Sequence, residues 1–571
     1  MAVEEDPLSI GIDLGTTYAS VGYYDIARKG PVLIQDERDK EQVASWISLS
    51  QLGDNGNMII GNSAKDDIHN ECIIYDSKRI IGRGLGDIND KDLANWPFKV
   101  KDRENGSVYI ESYNPLTQDN EEFEPEEISG MILKYLYEIA QKKLGNRPIS
   151  NVVVTVPVDF NDKQRDATLT ACELAGIKNV SIENEPTAAI TEYKREYSNS
   201  LKNGNKVVVI DFGGGTLDVC CCKISNDSVI VESSGGDPNL GGNDFDNVMI
   251  DIIKERVEEW IPGYYRNKRG MTQKEKTVFR KKLIKLKKEA ERIKIGLSDK
   301  ANKLAQQNNG TSKPVNVDMD LELENLLDMD EEDDFSCAPI SSSEFDKRCE
   351  NSGIYKRFVN KITEVTQRKG YKSGGVQLVL LIGGTSKIPK IREKVSEVIG
   401  GAVFANNNFN PLTAVVKGAT YSAYKKGENA IGKEVIYDIV PTPIGIEVEG
   451  GKFDMLIEDG KTLPTLGTTR RYCTTRDNQT SADFIIYRGF GRYVTSIGME
   501  TITKLSINGI PTAKRGEQKF EFTIQINQNG MMEISASLIG GDIKKDLSVT
   551  LDLSKKREEI EKLKEHFSKF Y

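Results

Sequence analysis

Residues 8–17 read LSIGIDLGTT, and residues 207–218 read VVVIDFGGGTLD. Each is an apolar run that ends in aspartate, followed by a glycine-bearing turn and a threonine. A buried strand delivering a tight turn accounts for both. Their separation by roughly 200 residues predicts two related α/β lobes. Between them, residues 151–158 (NVVVTVPV) read as a strand. Ile128, Ile132, Leu133, Leu136 and Ile139 recur at helical spacing after Pro125. Residues 271–298, rich in Lys, Glu and Leu, read as a further helix. Residues 308–343 read as an irregular insertion whose acidic run, 328–334, is a solvated loop.

Beyond about residue 432 the pattern changes. Residues 433–440 (KEVIYDIV) form a short, partly apolar connector, followed by closely spaced turn signals such as Asp459-Gly460, Asn508-Gly509 and Asn529-Gly530. Phe520, Phe522, Ile524 and Ile526 alternate with polar residues, and Asn529-Gly530 closes a hairpin onto Ile534, Ala536 and Leu538. A small all-β domain is expected. Ser554 then reads as a helix N-cap, with Ile560, Leu563, Phe567 and Phe570 on one face.

With 571 residues, 38% hydrophobic and 29% charged, the chain has the length of two to four globular domains. The longest apolar stretches, such as 376–382, are too short to span a bilayer. Residues 1–7 are acidic and fold begins by Leu8, so no signal or transit peptide is expected, nor any retention or lipidation signal at the other end. Eight cysteines fit a reducing compartment, and a cytoplasmic location is expected. Cys220, Cys221 and Cys222 are consecutive, which suits a packed strand rather than a zinc site. With only two histidines, a His-based triad or HExxH site is all but excluded. The net charge of −10 argues against a nucleic-acid surface.

Asp13 and Asp211 hold equivalent places in the two repeats. A carboxylate beside a glycine turn is well placed for Mg²⁺, directly or through water, while turn amides hold phosphate oxygens. Thr16, Thr17 and Thr216 add hydroxyls. No GxxxxGK[ST] is present, so a P-loop is not the phosphate device. A third glycine turn, 383–389 (GGTSKIP), follows the strand-like 376–382 and opens a helix at Pro389. Glu291, Lys294 and Ser298 share one helical stripe, a spacing that a solvated face would also show.

Ten segments then come into line: IGIDLGTTYASV, VVVTVPVDFNDKQRDAT, ENEPTAAI, VVVIDFGGGTLDV, LGGNDFD, EAERIKIGLS, LIGGTSKIPKI, DIVPTPIGIE, TRDNQ and INGIPTAKRG. In order, they resemble the signature segments of the seventy-kilodalton heat-shock (DnaK) chaperones, from about Leu8 to Leu553. The resemblance implies an actin-like (ribonuclease H-like) α/β nucleotide-binding ATPase domain over residues 1–430 and a linker over 431–440. An all-β substrate-binding sandwich over 441–553 and a short C-terminal helix over 554–571 would follow. ATP or ADP with Mg²⁺, and K⁺ as a further ion, would sit between the lobes. Asp13 and Asp211 would hold hydrated Mg²⁺. Gly15, Thr16, Thr17, Tyr18, Gly213, Gly214, Gly215, Gly241 and Gly242 would line the nucleotide phosphates. Lys65, in GNSAK, matches the family lysine that positions the attacking water, with Thr216, Glu185 and Asp218 completing the network. Glu291, Lys294, Ser298, Gly383, Gly384, Thr385 and Lys387 would surround adenosine. Pro157 and Arg165 match an interdomain relay. Ile446, Tyr472, Ala482 and Phe484 match peptide-groove positions, although each also suits a sandwich core.

The resemblance implies ATP-dependent binding of extended, unfolded polypeptides, aided by a J-domain co-chaperone and a nucleotide exchange factor, without nucleic-acid or membrane partners. Several departures stand out. The connector VIYDIV is not the leucine-rich family linker. Lys387 stands where many members carry arginine, Leu412 where an acidic residue is common, and Glu449 where an apolar residue arches over the peptide. Only about 17 residues follow Ser554, roughly 25 Å of helix, too little for the family's helical lid. An ATP-binding but weakly hydrolysing interaction module, like the ribosome-associated relatives, is the alternative. A sugar kinase or actin-type filament protein would leave the β domain unexplained.

Overall fold

The computed structural model describes residues 8–49, 58–67, 72–114, 119–225, 228–267, 270–307, 316–327, 337–371, 374–401, 403–405, 408–427, 436–539, 547–550 and 557–571. The acidic run 328–334 and Ser554 lie outside them.

The two repeats become matching strands in two sheets. In the first sheet, Leu8–Asp13 runs parallel to Ile149–Val156 on one side and antiparallel to Tyr18–Asp25 on the other. In the second, Lys206–Phe212 runs parallel to Leu378–Ile382 and antiparallel to Leu217–Ser225. Each aspartate strand therefore has the same neighbours, a parallel strand and its own hairpin partner. Buried on both faces, these strands read as continuous apolar runs rather than alternating ones. Ile10, Ile12, Val207, Val208, Val209 and Ile210 are all fully buried.

Helices cover the sheets. Pro125–Lys143 opens with proline in its first turn and buries Ile128, Ile132, Leu133 and Leu136, as its periodicity predicts. The helix expected over 271–298 extends over Gln273–Gln307. Helix Ala414–Gly427 lies between the sheets' inner elements and packs backbone to backbone. A Cβ on Gly418 would fall 1.7 Å from Ala188 O, and one on Gly11 would fall 2.1 Å from Thr420 N. Only glycine permits that approach. Within the expected insertion, Asp318–Met319 pairs with Ile340–Ser341 in a small ribbon, so part of it is ordered. The consecutive cysteines lie in strand Leu217–Ser225, buried as expected, with Cys220 and Cys222 sulfurs 3.4 Å apart.

The expected β domain is two four-stranded sheets that share one core. The predicted hairpin pairs Lys519–Ile526 with Met532–Ile539, placing Ile524 opposite Ile534. The connector does more than span a gap. Ile436–Tyr437 adds a fifth strand to the second sheet, parallel to Ser228–Asp237. The sandwich rests on the first lobe: Asp162 Oδ1 accepts from Met532 N at 2.8 Å, and Arg165 donates to Asn529 O at 3.4 Å. Helix Arg557–Phe567 returns to that same lobe, where Phe567 and Phe570 join its core.

Candidate functional site

The two aspartate turns meet face to face. A Cβ on Gly214 would lie 2.0 Å from Thr17 Oγ1, and one on Gly215 would lie 2.3 Å from Thr16 Oγ1. Glycine at both positions lets the turns touch. Asp13 ends its strand and accepts from Thr155 Oγ1 at 3.2 Å. Asp211 stands opposite Asp218 across the second hairpin. Glu185 is the first residue of helix Glu185–Glu196, which follows directly on strand Val180–Asn184 with Asn184 at its N-cap. Asp13, Glu185, Asp211 and Asp218 thus gather where the lobes meet.

Their electrostatics are unbalanced. Burial, reinforced by the Glu185 charge, pushes Asp13 up to about 7 against the opposing pull of Lys78 and Thr155. Asp211 is driven well above the usual carboxylate range by burial and by Glu185, Asp218 and Asp13. Asp218 rises for the same leading reasons, burial and then Glu185. One Asp218 oxygen accepts from Val158 N at 2.8 Å, while the other is buried without a partner. Like charges at this spacing oppose one another's ionisation. A hydrated divalent cation would remove that opposition and satisfy the orphaned oxygen, so these residues fit Mg²⁺. Among the described residues no three His, Cys, Asp or Glu side chains are grouped tightly enough to hold a metal ion directly. The fit is therefore to a metal whose shell is largely water and phosphate oxygen.

The lysine at this cluster is Lys78. It donates to Glu185 Oε1, is buried, and acts on Asp13, Asp211 and Asp218. Lys65, expected here from the GNSAK segment, lies elsewhere. It donates to Glu291 Oε2 at 2.6 Å and to the Tyr18 hydroxyl at 2.7 Å, bridging helix Asn62–Asp66 and helix Gln273–Gln307. Three further charged side chains also lie outside every motif. Buried Arg79 binds Asp92 at 2.5 Å, Asp244 at 2.6 Å and Gly215 O at 3.1 Å, tying the 213–215 turn to the first lobe. Lys287 binds Asp246 at 2.9 Å. Asp76 accepts from the Trp96 indole. The run 75–79 (YDSKR), polar residues crowded directly after strand Ile73–Tyr75, was the available signal.

The remaining expected positions line the same region. Gly242 N donates to Gly213 O at 3.0 Å, and Thr385 Oγ1 donates to that same carbonyl at 2.8 Å. Lys294 donates to Gly242 O at 3.1 Å and pairs with Asp246 at 2.7 Å. The third glycine turn thus closes onto the second. Glu291 accepts from Tyr18 at 3.1 Å as well as from Lys65. Ser298 is turned inward, its hydroxyl donating to Lys294 O at 2.9 Å. Lys387 O accepts from Asn302, and Gly384 lies against Leu412. Arg165 is buried between lobe and sandwich, bonding Asn184 Oδ1 at 2.8 Å and Phe160 O at 3.0 Å, while Pro157 O accepts from Phe160 N. Of the groove positions, Ile446 and Phe484 are buried in the sandwich core, and Tyr472 and Ala482 pack against it. Phe484 sits 5.1 Å from Phe522 ring to ring, so the core role explains its burial.

Two matched sheets whose aspartate turns meet in a buried acidic cleft, followed by a sandwich, define a two-lobed α/β protein with an appended β domain. The family model described as Hsp70 protein matches residues 9–571. A heat shock cognate HSP70 protein of Trypanosoma brucei brucei is 30% identical over 98% of this chain and 78% of its own length. A heat shock protein of Pyricularia oryzae is 31% identical over 94% of this chain and 81% of its own length. A heat shock 70 kDa protein of Emericella nidulans is 30% identical over 97% and 80%, respectively. This chain belongs to the Hsp70 family, whose members are ATP-binding chaperones. Among the described residues no helix is long and apolar enough to cross a membrane.

Proposed function

We propose that this chain hydrolyses ATP and couples that step to holding extended polypeptides in its β-sandwich. Residues 1–430 would form the ATPase domain, 431–440 the linker, 441–553 the peptide-binding domain and 554–571 a terminal helix. The observation that carries the reading is the cluster of four carboxylates, Asp13 half-buried and the other three buried, around Lys78 where the DLGT and DFGGGT turns meet.

Bound Mg²⁺ would supply charge neutralisation of the phosphates. Asp13 and Asp211 would hold it through its water shell, while the 15–17 and 213–216 turns would cradle phosphate oxygens. Transfer of a phosphoryl group to water needs positioned charge more than covalent help. Lys78, buried and held by Glu185, is the side chain placed to orient water and meet developing charge. We assign it the role expected of Lys65. Glu291, Lys294, Ser298, Thr385 and Lys387 would contact adenosine. A J-domain partner, an exchange factor and a cytoplasmic setting complete the reading.

ATP turnover by the purified chain tests it. Lys78→Ala should lower turnover by about 100-fold or more, while Lys65→Ala should leave the chemical step, measured in a single turnover, within about threefold. No turnover above background in the unmutated chain would refute hydrolysis. A loss confined to Lys65→Ala would return the role to that residue.

A further inference from the structure

Helix Arg557–Phe567 lies on the first lobe with one face to solvent, and its last turn and the residues after it sink into that lobe. Phe567 and Phe570 are 3% and 8% exposed and belong to the lobe's own core. Phe570 meets Phe123 edge to face at 5.1 Å, and its carbonyl accepts from Met58 N at 3.2 Å. The helix packs along Asp162–Leu174, and the Phe567 ring reaches far enough towards Pro125–Lys143 that a Cβ on Gly130 would sit 3.2 Å from its Cε2. Lys134 lies over the Tyr571 ring at 4.2 Å, and Tyr571 OH donates to Glu138 at 3.0 Å.

At the centre is His566, one of only two histidines in the chain. Its Nδ1 is 2.7 Å from Glu127 Oε1. The Glu127 side chain is 2% exposed, and its other oxygen accepts from Glu124 N at 2.8 Å. Among the described residues, His566 is the cationic partner that this carboxylate has. A buried carboxylate of this kind needs either a cation or a strong donor, and the imidazolium is both.

We infer that residues 557–571 form a proton-sensitive latch, in which protonated His566 on Glu127 holds the aromatic anchor in the first lobe and so keeps the β-sandwich tied down at both ends. The linker strand Ile436–Tyr437 fastens one end of the sandwich, and the latch fastens the other. Other charges face the ring too: Glu121, from strand Asp119–Phe123, supports the cation, and Lys569 opposes it. Lys564 is engaged with Glu173 at 2.8 Å on the neighbouring helix.

The sign is fixed by these partners. The hydrogen bond that His566 donates to Glu127 raises the docked imidazole above its ordinary value, more than burial lowers it. Docking is therefore strongest below the ordinary histidine range, about 6.5, and weakens as pH rises through the docked value. What protonation adds to docking is lost once the pH has passed the docked value.

Amide hydrogen exchange on the full chain at pH 6 and pH 8, corrected for intrinsic rates, tests this. Residues 557–571 should be measurably less protected at pH 8 than at pH 6, by a factor well outside the spread seen for the rest of the chain. A His566→Leu variant should show no pH dependence of protection there, whether docked or released. The proton NMR titration of His566 in the unmutated chain, with His69 as the second signal, should give a midpoint above the ordinary value. Equal protection at both pH values, or an unchanged pH dependence in His566→Leu, would overturn the inference.

Discussion

Asp211 shows what an acidic cleft costs when no cation balances it. It is fully enclosed, and burial together with Glu185, Asp218 and Asp13 raises it well above the ordinary range. Replacing it by asparagine keeps the shape and removes one repelling charge. The nucleotide-free Asp211→Asn protein should melt about 2 °C or more above the unmutated one, yet lose its Mg²⁺-dependent nucleotide affinity, as read by calorimetry. A lower melting temperature with affinity intact would show that Asp211 is structural instead. The residues of this cluster were unequally legible in the sequence. Asp13, Asp211, Thr16 and Thr216 announce themselves because strand, glycine turn and hydroxyl are contiguous. Lys78 does not, because its partners Glu185 and Asp13 lie 107 and 65 positions away and only folding makes the charges neighbours. A lysine in an unremarked segment is indistinguishable from a solvated one until its desolvation is seen. Arg79 and Lys287 carry no contiguous signal for the same reason, whereas Lys65 stands in a motif-like segment yet faces Glu291.

Helix Asn62–Asp66 and helix Gln273–Gln307 stand on opposite lobes, and Lys65 with Glu291 is a link between them. The pair is 15% and 5% exposed at its side chains, and Tyr18 joins it from a third element. Such a link resists opening of the cleft without touching the acidic cluster. Charge-assisted hydrogen bonds of this burial contribute about 1.5–3 kcal/mol. Lys65→Ala should therefore speed release of a fluorescent adenine nucleotide by about tenfold or more, measured by stopped flow. An unchanged release rate would remove the link from the gate. The elements themselves were largely readable from pattern: apolar runs became buried strands, and the period after Pro125 became the helix Pro125–Lys143. The connector was not. Two residues of strand, Ile436–Tyr437, carry no periodicity, and what makes them a strand is the open edge at Ser228–Asp237 that receives them. The groove positions were ambiguous for a related reason, since alternation marks an inward face without saying whether core or ligand covers it.

At the scale of the whole molecule, linker, sandwich and cleft converge on Asn184. Asp438 Oδ2, just past the linker strand, accepts from Asn184 Nδ2 at 2.5 Å and from Thr187 Oγ1 at 3.1 Å. Asn184 Oδ1 accepts from Arg165, whose guanidinium also reaches Val158 O and the sandwich carbonyl Asn529 O. Val158 N in turn holds Asp218 in the cleft, and the residue after Asn184 is Glu185, the partner of Lys78. A docked linker thus props the start of the helix that presents a cleft carboxylate. Removing the Asp438 carboxylate would leave the buried Asn184 amide and Thr187 hydroxyl short of an acceptor, at about 1–3 kcal/mol. That is a factor of about 5 to 150 in the balance between docked and released linker, enough to break coupling but too little to unfold either lobe. Asp438→Ala should keep basal ATP turnover within about twofold and lose the response to an added extended peptide. Steady-state turnover with and without peptide decides it: a preserved response would mean that Arg165 and Asp162 alone join the sandwich to the cleft. Loss of basal turnover as well would instead place Asp438 in support of Glu185 rather than in communication.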